Sequence, residues 1–241
     1  MSKSLRDHPN PNELHPGDEH YRAYVGPPGE YDVVGASQFR LLTALGLREH
    51  HHCLDFGCGS LRLGRILIPY LAPGHYFGIE PNTWLIDDVI RMELGQEIIA
   101  MRRPCFSDTP AFDCFIFGRQ FDYIVAQSIF SHAHIDLFSK GLTSAANALT
   151  PRGLLLATFV PPSRADHPGK DGVGWVYPGV CSYSSTEVEE LCHKSGLAFR
   201  LLPWRHPRQI WFAASHSTVA LPPEAFDVHL GGPILGVRSY F

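Results

Sequence analysis

Asp55, the pair Gly57 and Gly59, and Glu80 are the residues whose types and spacing first point to chemistry. Gly57 and Gly59 lack a Cβ, so the backbone there can turn sharply and a ligand can come close to it. Asp55, two residues ahead of the first glycine, suits a positively charged group held near that turn. Glu80 closes the run His75-Tyr76-Phe77-Gly78-Ile79, and a carboxylate there can accept hydrogen bonds from both hydroxyls of a ribose. The elements that must position these groups are legible around them. His52-Cys53-Leu54 enters the turn as a buried strand, and Arg65-Ile66-Leu67-Ile68 leaves it as a helix. Strand, tight turn and helix together read as the opening of a nucleotide-binding βαβ unit.

Two ligand classes use that geometry. Dinucleotide sites favour G-x-G-x-x-G with the pyrophosphate on the helix N-terminus. Here the third glycine, Gly64, comes two positions too late. A carboxylate at position 55 would also sit badly beside a pyrophosphate. S-adenosylmethionine carries an ammonium group and a ribose but no phosphate, and the loop fits it better than NAD.

With these residues in place, the chain resembles the class I S-adenosylmethionine-dependent methyltransferases. The marks, in order, are Asp55-Phe56-Gly57-Cys58-Gly59-Ser60-Leu61, Glu80, the fourth-strand run Phe121-Asp122-Tyr123-Ile124-Val125-Ala126-Gln127-Ser128, and Leu149-Thr150-Pro151-Arg152-Gly153-Leu154-Leu155. Leu61 stands where the first motif has its last glycine. The resemblance implies an α/β fold, a Rossmann-like seven-stranded mixed sheet with helices on both faces and an antiparallel final hairpin. It implies S-adenosyl-L-methionine as cofactor, with Gly57, Cys58, Gly59 and the backbone of Ala126 and Gln127 near the methionine end and Glu80 on the ribose. An acidic residue between strands three and four often recognises adenine; Asp113, beside Phe112, is preferred here over Asp108. Further detail is similar to a microbial, small-molecule branch of the superfamily, through Gly78-Ile79-Glu80-Pro81-Asn82, Ser128-Ile129-Phe130-Ser131-His132, Ala157-Thr158-Phe159 and Trp175-Val176-Tyr177-Pro178-Gly179.

Acceptors in that family lie beyond strands four and five, which brings Ser131, His132, His134, Trp175 and Tyr177 into consideration for this chain. A hydroxyl acceptor must lose a proton, and histidine titrates in the right range to take it, so His132 is the candidate base. A carboxylate acceptor is already anionic and needs a cationic clamp, for which Arg164, Arg205 and Arg208 are the candidates. O-methylation of a small molecule is therefore expected. N-methylation of a small metabolite and a cofactor-binding, non-catalytic partner subunit remain as alternatives. No metal is expected: the sequence lacks a paired-carboxylate cluster after the fourth strand, and the adjacent His50, His51 and His52 alternate faces on entering a strand.

A net charge of -4 argues against a broad nucleic-acid surface, and no apolar run is long enough to span a membrane. Six cysteines without a Cys-x-x-Cys pair fit a reducing, cytoplasmic setting. Residues 1–35 read as a polar N-terminal tail, whose aromatic part from Tyr21 to Tyr31 either folds over the cofactor as a lid or packs on the core surface. Residues 36–216 read as the methyltransferase domain and 217–241 as a C-terminal tail. Phe226, Leu230, Ile234, Leu235 and Phe241 in that tail point to packing on the domain or on a second subunit, so a homodimer stays open. The Pro- and Gly-rich stretch from Pro161 to Val180 is too long for an idle connection in a compact domain.

Overall fold

Cys53–Phe56 is buried along its whole length and forms an inner strand, β1. A strand buried on both faces must be covered by helices above and below, and the apolar patterning supplies them. In the computed structural model, which describes residues 5–164 and 167–230, chain order runs α1 (Tyr31–Ala44), β1, α2 (Gly64–Tyr70), β2 (Tyr76–Ile79), α3 (Thr83–Val89), α4 (Gln96–Arg102), β3 (Cys105–Ser107), β4 (Phe121–Ala126), α5 (Ile135–Ala148), β5 (Leu149–Phe159), α6 (Ser185–Lys194), β6 (Ala198–Leu202) and β7 (Ile210–Ser215).

The strands form one seven-stranded sheet in the order β3-β2-β1-β4-β5-β7-β6. The first five are parallel, and β7 runs antiparallel to both β5 and β6. This is the expected Rossmann-like mixed sheet with a closing hairpin. Leu41, Leu67, Ile86 and Val89 pack on one face, and Phe138, Leu142, Val188 and Leu191 on the other. In α5 the buried positions 138, 141, 142, 145, 146 and 148 fall at helical spacing, which fixes the face turned to the sheet. At the start of α6, Ser184 and Glu187 form a reciprocal capping box.

Because strand order reverses between β1 and β4, their carboxyl ends open a crevice at the centre of the sheet. The long stretch after β5 is tied down near that crevice. Val176 N–H donates to the His132 carbonyl at 2.9 Å, His134 N–H to the Gly174 carbonyl at 2.9 Å, and Gly174 N–H to Asp136 Oδ1 at 2.9 Å. The N-terminal segment is also docked. A short helix, Tyr21–Tyr24, precedes α1, and α1 crosses the boundary expected at residue 36. In the tail, Leu230 is buried and Phe226 packs against the same core, while Ile234, Leu235 and Phe241 lie outside the described residues. Among the described residues no helix is long and apolar enough to cross a membrane.

Candidate active site

The register of the sheet assembles one end of the site. Asp55 on β1 pairs with Gly78 on β2 and Val125 on β4. Gly57 follows the end of β1, Glu80 the end of β2 and Gln127 the end of β4, so the three lie at neighbouring strand tips. A cavity of about 560 Å³ opens there, and Asp55, Gly57, Cys58, Gly59, Glu80 and Gln127 all line it. Gly57 and Gly59 have φ of 74° and 52°. A Cβ at position 57 would stand 2.0 Å from Ile129 Cδ1, and one at 59 would stand 2.8 Å from Val25 Cγ1. Any other residue at either position would meet a neighbouring side chain in a strained backbone conformation, so glycine is favoured at both.

Glu80 is oriented by its neighbours. Gly59 N–H donates to Oε2 at 3.1 Å, and the Asn82 backbone and side-chain amides donate to Oε1 at 2.8 and 2.9 Å. A carboxylate has about four acceptor positions, and these three donors leave about one for a ligand hydroxyl. Asp55 is buried, and burial pushes its carboxyl up to about 7 against the opposing hydrogen bond from the Tyr76 hydroxyl at 2.9 Å. A cation placed beside it would draw the carboxyl back to its ionised form. Thr109, Pro110 and Phe112 line the cavity as well. Phe112 and Ser128, both on the wall, hold left-handed φ of 54° and 62°, strain of the kind that gathers at functional sites.

The other end of the cavity is aromatic. His132, Trp175 and Tyr177 line it, and the His132 ring meets Trp175 and Tyr177 edge-on at 5.6 and 4.9 Å. His132 Nδ1 lies 2.6 Å from the Gly179 carbonyl, which can only accept, so the ring hydrogen is on Nδ1 and Nε2 keeps its lone pair. Burial lowers the pKa of this imidazole below 6.5, opposed by the bond to Gly179. The Tyr177 hydroxyl donates to the Tyr24 carbonyl, and the two rings lie 5.5 Å apart. The aromatic N-terminal segment thus contributes Tyr24 and Val25 to the cavity wall.

The remaining sequence candidates lie elsewhere. Asp113 accepts the Phe115 N–H at 2.9 Å and caps its own turn, off the cavity wall. Ala126 is buried in β4 one residue short of the wall. Ser131 is 1 % exposed and turned into the protein. His134 Nδ1 donates to the Gly169 carbonyl at 3.0 Å, which ties down the loop and does not face the cavity. Arg164 donates to the Pro207 carbonyl, and Arg208 makes a two-point ion pair with Glu30 at 2.6 and 3.2 Å. Arg205 is exposed on a separate groove with Trp204 and His206. None of the three arginines lines the cavity; Arg62 does, with Gln38. Gln38 could have been found from the sequence. It falls on the same helical stripe as Val34, Leu41 and Leu42, and a polar residue on a buried face asks for a partner.

The family model for a methyltransferase domain matches residues 30–201. No curated protein matches the chain. Among solved structures, magnesium protoporphyrin IX methyltransferase from Synechocystis PCC 6803 with bound SAM is 17% identical over 77% of this chain and 82% of that one, with a TM-score of 0.55. The glycopeptide N-methyltransferase MtfA complexed with S-adenosyl-L-homocysteine is 13% identical over 76% and 90%, with a TM-score of 0.56. DesVI from Streptomyces venezuelae is 15% identical over 80% and 95%, with a TM-score of 0.59. At these identities the likeness shows a shared fold.

Proposed function

The chain belongs to the methyltransferase-domain family, and from that premise we propose that it moves a methyl group from S-adenosylmethionine to a hydroxyl oxygen of a small aromatic acceptor, with His132 as the general base. The residues at the sheet edge fit the cofactor. Glu80 keeps an acceptor position for a ribose hydroxyl, the glycine turn leaves no Cβ in the way, and Asp55 suits the ammonium group. When bound, S-adenosylmethionine supplies a methyl carbon already activated by its sulfonium. The protein's work is then to align the acceptor, exclude water and take one proton.

The observation that carries the hydroxyl reading is the Nδ1 bond from His132 to the Gly179 carbonyl at 2.6 Å. It holds the imidazole in the tautomer a base needs. Nε2 takes the acceptor's proton as the oxygen forms its bond to the methyl carbon and the carbon–sulfur bond breaks. The proton then leaves to solvent at the cavity mouth, where Trp175 is 47% exposed. Phe112, Trp175 and Tyr177 line the cavity near His132, and such aromatic lining suits a planar acceptor. The carboxylate alternative loses support because Arg164 and Arg208 are engaged outside the cavity.

An assay of product formation across hydroxyl-bearing and acidic aromatic compounds tests this. His132→Ala should lower kcat/KM for the hydroxyl substrate by about 10²–10⁴-fold. In the wild type the acid limb should fall below pH 6.5, because burial depresses the imidazole. Turnover of acids alone, unchanged in His132→Ala, would overturn the reading, and methylation at nitrogen would move it to an amine acceptor.

A further inference from the structure

The acceptor end of the cavity continues past its wall. Trp175 lines the cavity with His132 and Phe112, its ring 5.6 and 6.0 Å from theirs, yet 47% of it faces solvent. Two more apolar residues stand in water next to it in the fold. Val173 is 81% exposed and Ile135 is 38% exposed. They are distant in sequence, and the backbone brings them together. His134 N–H donates to the Gly174 carbonyl at 2.9 Å, and Gly174 N–H donates back to Asp136 Oδ1 at 2.9 Å. Gly174 is thus clasped by the two residues that flank Ile135, while its own neighbours are Val173 and Trp175. Ala133 and Trp175 extend the contact as an isolated antiparallel bridge.

The loop that carries Val173 is pinned on its other side too. His134 Nδ1 donates to the Gly169 carbonyl at 3.0 Å, and a Cβ on Gly172 would stand 2.4 Å from the His134 ring. Val173 therefore sits between one glycine packed on that ring and another held by two hydrogen bonds. An apolar side chain presented to water in this way forgoes the stabilisation of burial until something covers it. Size and place decide what that is. Three side chains are too few for a stable protein partner, which takes roughly 20–30 residues a side. The strip is instead continuous with the acceptor cavity, because Trp175 belongs to both.

We propose that Trp175, Val173 and Ile135 form an outer subsite of the acceptor cavity, and that it takes an alkyl chain carried by the acceptor. The acceptor class is then an amphiphilic one: a hydroxyl turned to His132, an aromatic ring among Phe112, Trp175 and Tyr177, and a hydrocarbon chain leaving over Val173 and Ile135. The assignment rests on the acceptor lying beside His132.

The test is calorimetric titration of para-alkylphenols, from methyl to hexyl, into the full chain in the presence of S-adenosylhomocysteine, which cannot donate a methyl group. Wild-type affinity should rise with each added methylene, about fourfold where it is fully buried and about twofold where it is half covered. The double variant Val173→Ser, Ile135→Ser leaves the cavity wall untouched. It should bind para-cresol within about twofold of wild type and lose most of the gain with chain length. A flat series in the wild type overturns the proposal. So does a rise that the double variant keeps, because the chain then lies elsewhere. If para-cresol binds and the series is flat, the hydroxyl-acceptor reading stands and only the outer subsite falls. If no phenol binds, both fall. A wild type that sediments as a dimer and a double variant that sediments as a monomer would give the strip to a second copy of the chain, which also overturns the proposal.

Discussion

The two ends of the cavity are built by different means. At the sheet edge, Asp55, Gly57, Gly59, Glu80 and Gln127 sit at the tips of three adjacent parallel strands, and the register alone brings them together. At the aromatic end, His132 is fixed by a carbonyl 47 residues away, and Tyr177 reaches back 153 residues to Tyr24. Groups placed by strand tips inherit the rigidity of a core buried on both faces. Groups placed by loop-to-loop hydrogen bonds depend on a few contacts that substitution can release singly. The contrast suits a site in which one end holds an invariant nucleoside and the other is adapted to an acceptor.

Substitution at the sheet edge should have the largest consequences for stability and cofactor binding. Gly57→Ala sets a Cβ against Ile129 and forces alanine into a left-handed φ, together costing about 2–5 kcal/mol. Thermal melts should show a lower Tm, and S-adenosylhomocysteine should no longer raise it. Glu80→Gln removes charge with little change of shape. It should weaken S-adenosylhomocysteine by about 1.5–3 kcal/mol in a titration, roughly 10- to 100-fold. The comparison breaks if either change is silent.

A pH series sharpens it. With the free carboxyl of Asp55 raised to about 7, binding an ammonium-bearing ligand below that pH must expel a proton. Affinity should therefore rise by up to about tenfold per pH unit towards 7 and level off above it, and Asp55→Asn should flatten the curve. The same shift works the other way on the empty protein. A raised carboxyl favours the fold below its unfolded value of 3.8, and that contribution is lost as pH rises through about 7. The smallest effect on binding belongs to Tyr177 at the aromatic end. Tyr177→Phe should cost only about 0.5–1.5 kcal/mol and show itself as faster ligand dissociation in stopped flow.

This division also explains what the sequence disclosed. The parallel strands and the glycine turn were legible because each is a short, local pattern of apolar run, glycine and carboxylate. Leu61 illustrates how far such a pattern reaches. It stands where the motif has a glycine, yet it holds a left-handed φ of 52° and is fully buried, so its side chain has joined the core. Helix α4 was not legible, because it buries no residue fully and turns only the half-buried Ile98 and Ile99 to the core. The acceptor-side candidates were drawn from loops by residue type alone. Loop side chains go where long-range hydrogen bonds take them, so His132, Trp175 and Tyr177 reached the cavity while Ser131, His134 and three arginines did not. Arg62 was not singled out, because residue type alone does not say where a side chain leaving a turn goes; its contacts with Val25 and Gly35 reveal it as part of the wall.

The most direct test of the account is one titration of S-adenosylhomocysteine into three proteins: wild type, Glu80→Gln and His132→Gln. The division of the cavity predicts binding to the wild type, a loss of about 10-fold or more in Glu80→Gln, and affinity within about twofold of wild type in His132→Gln. No binding to the wild type, or a loss in His132→Gln as large as that in Glu80→Gln, would contradict it.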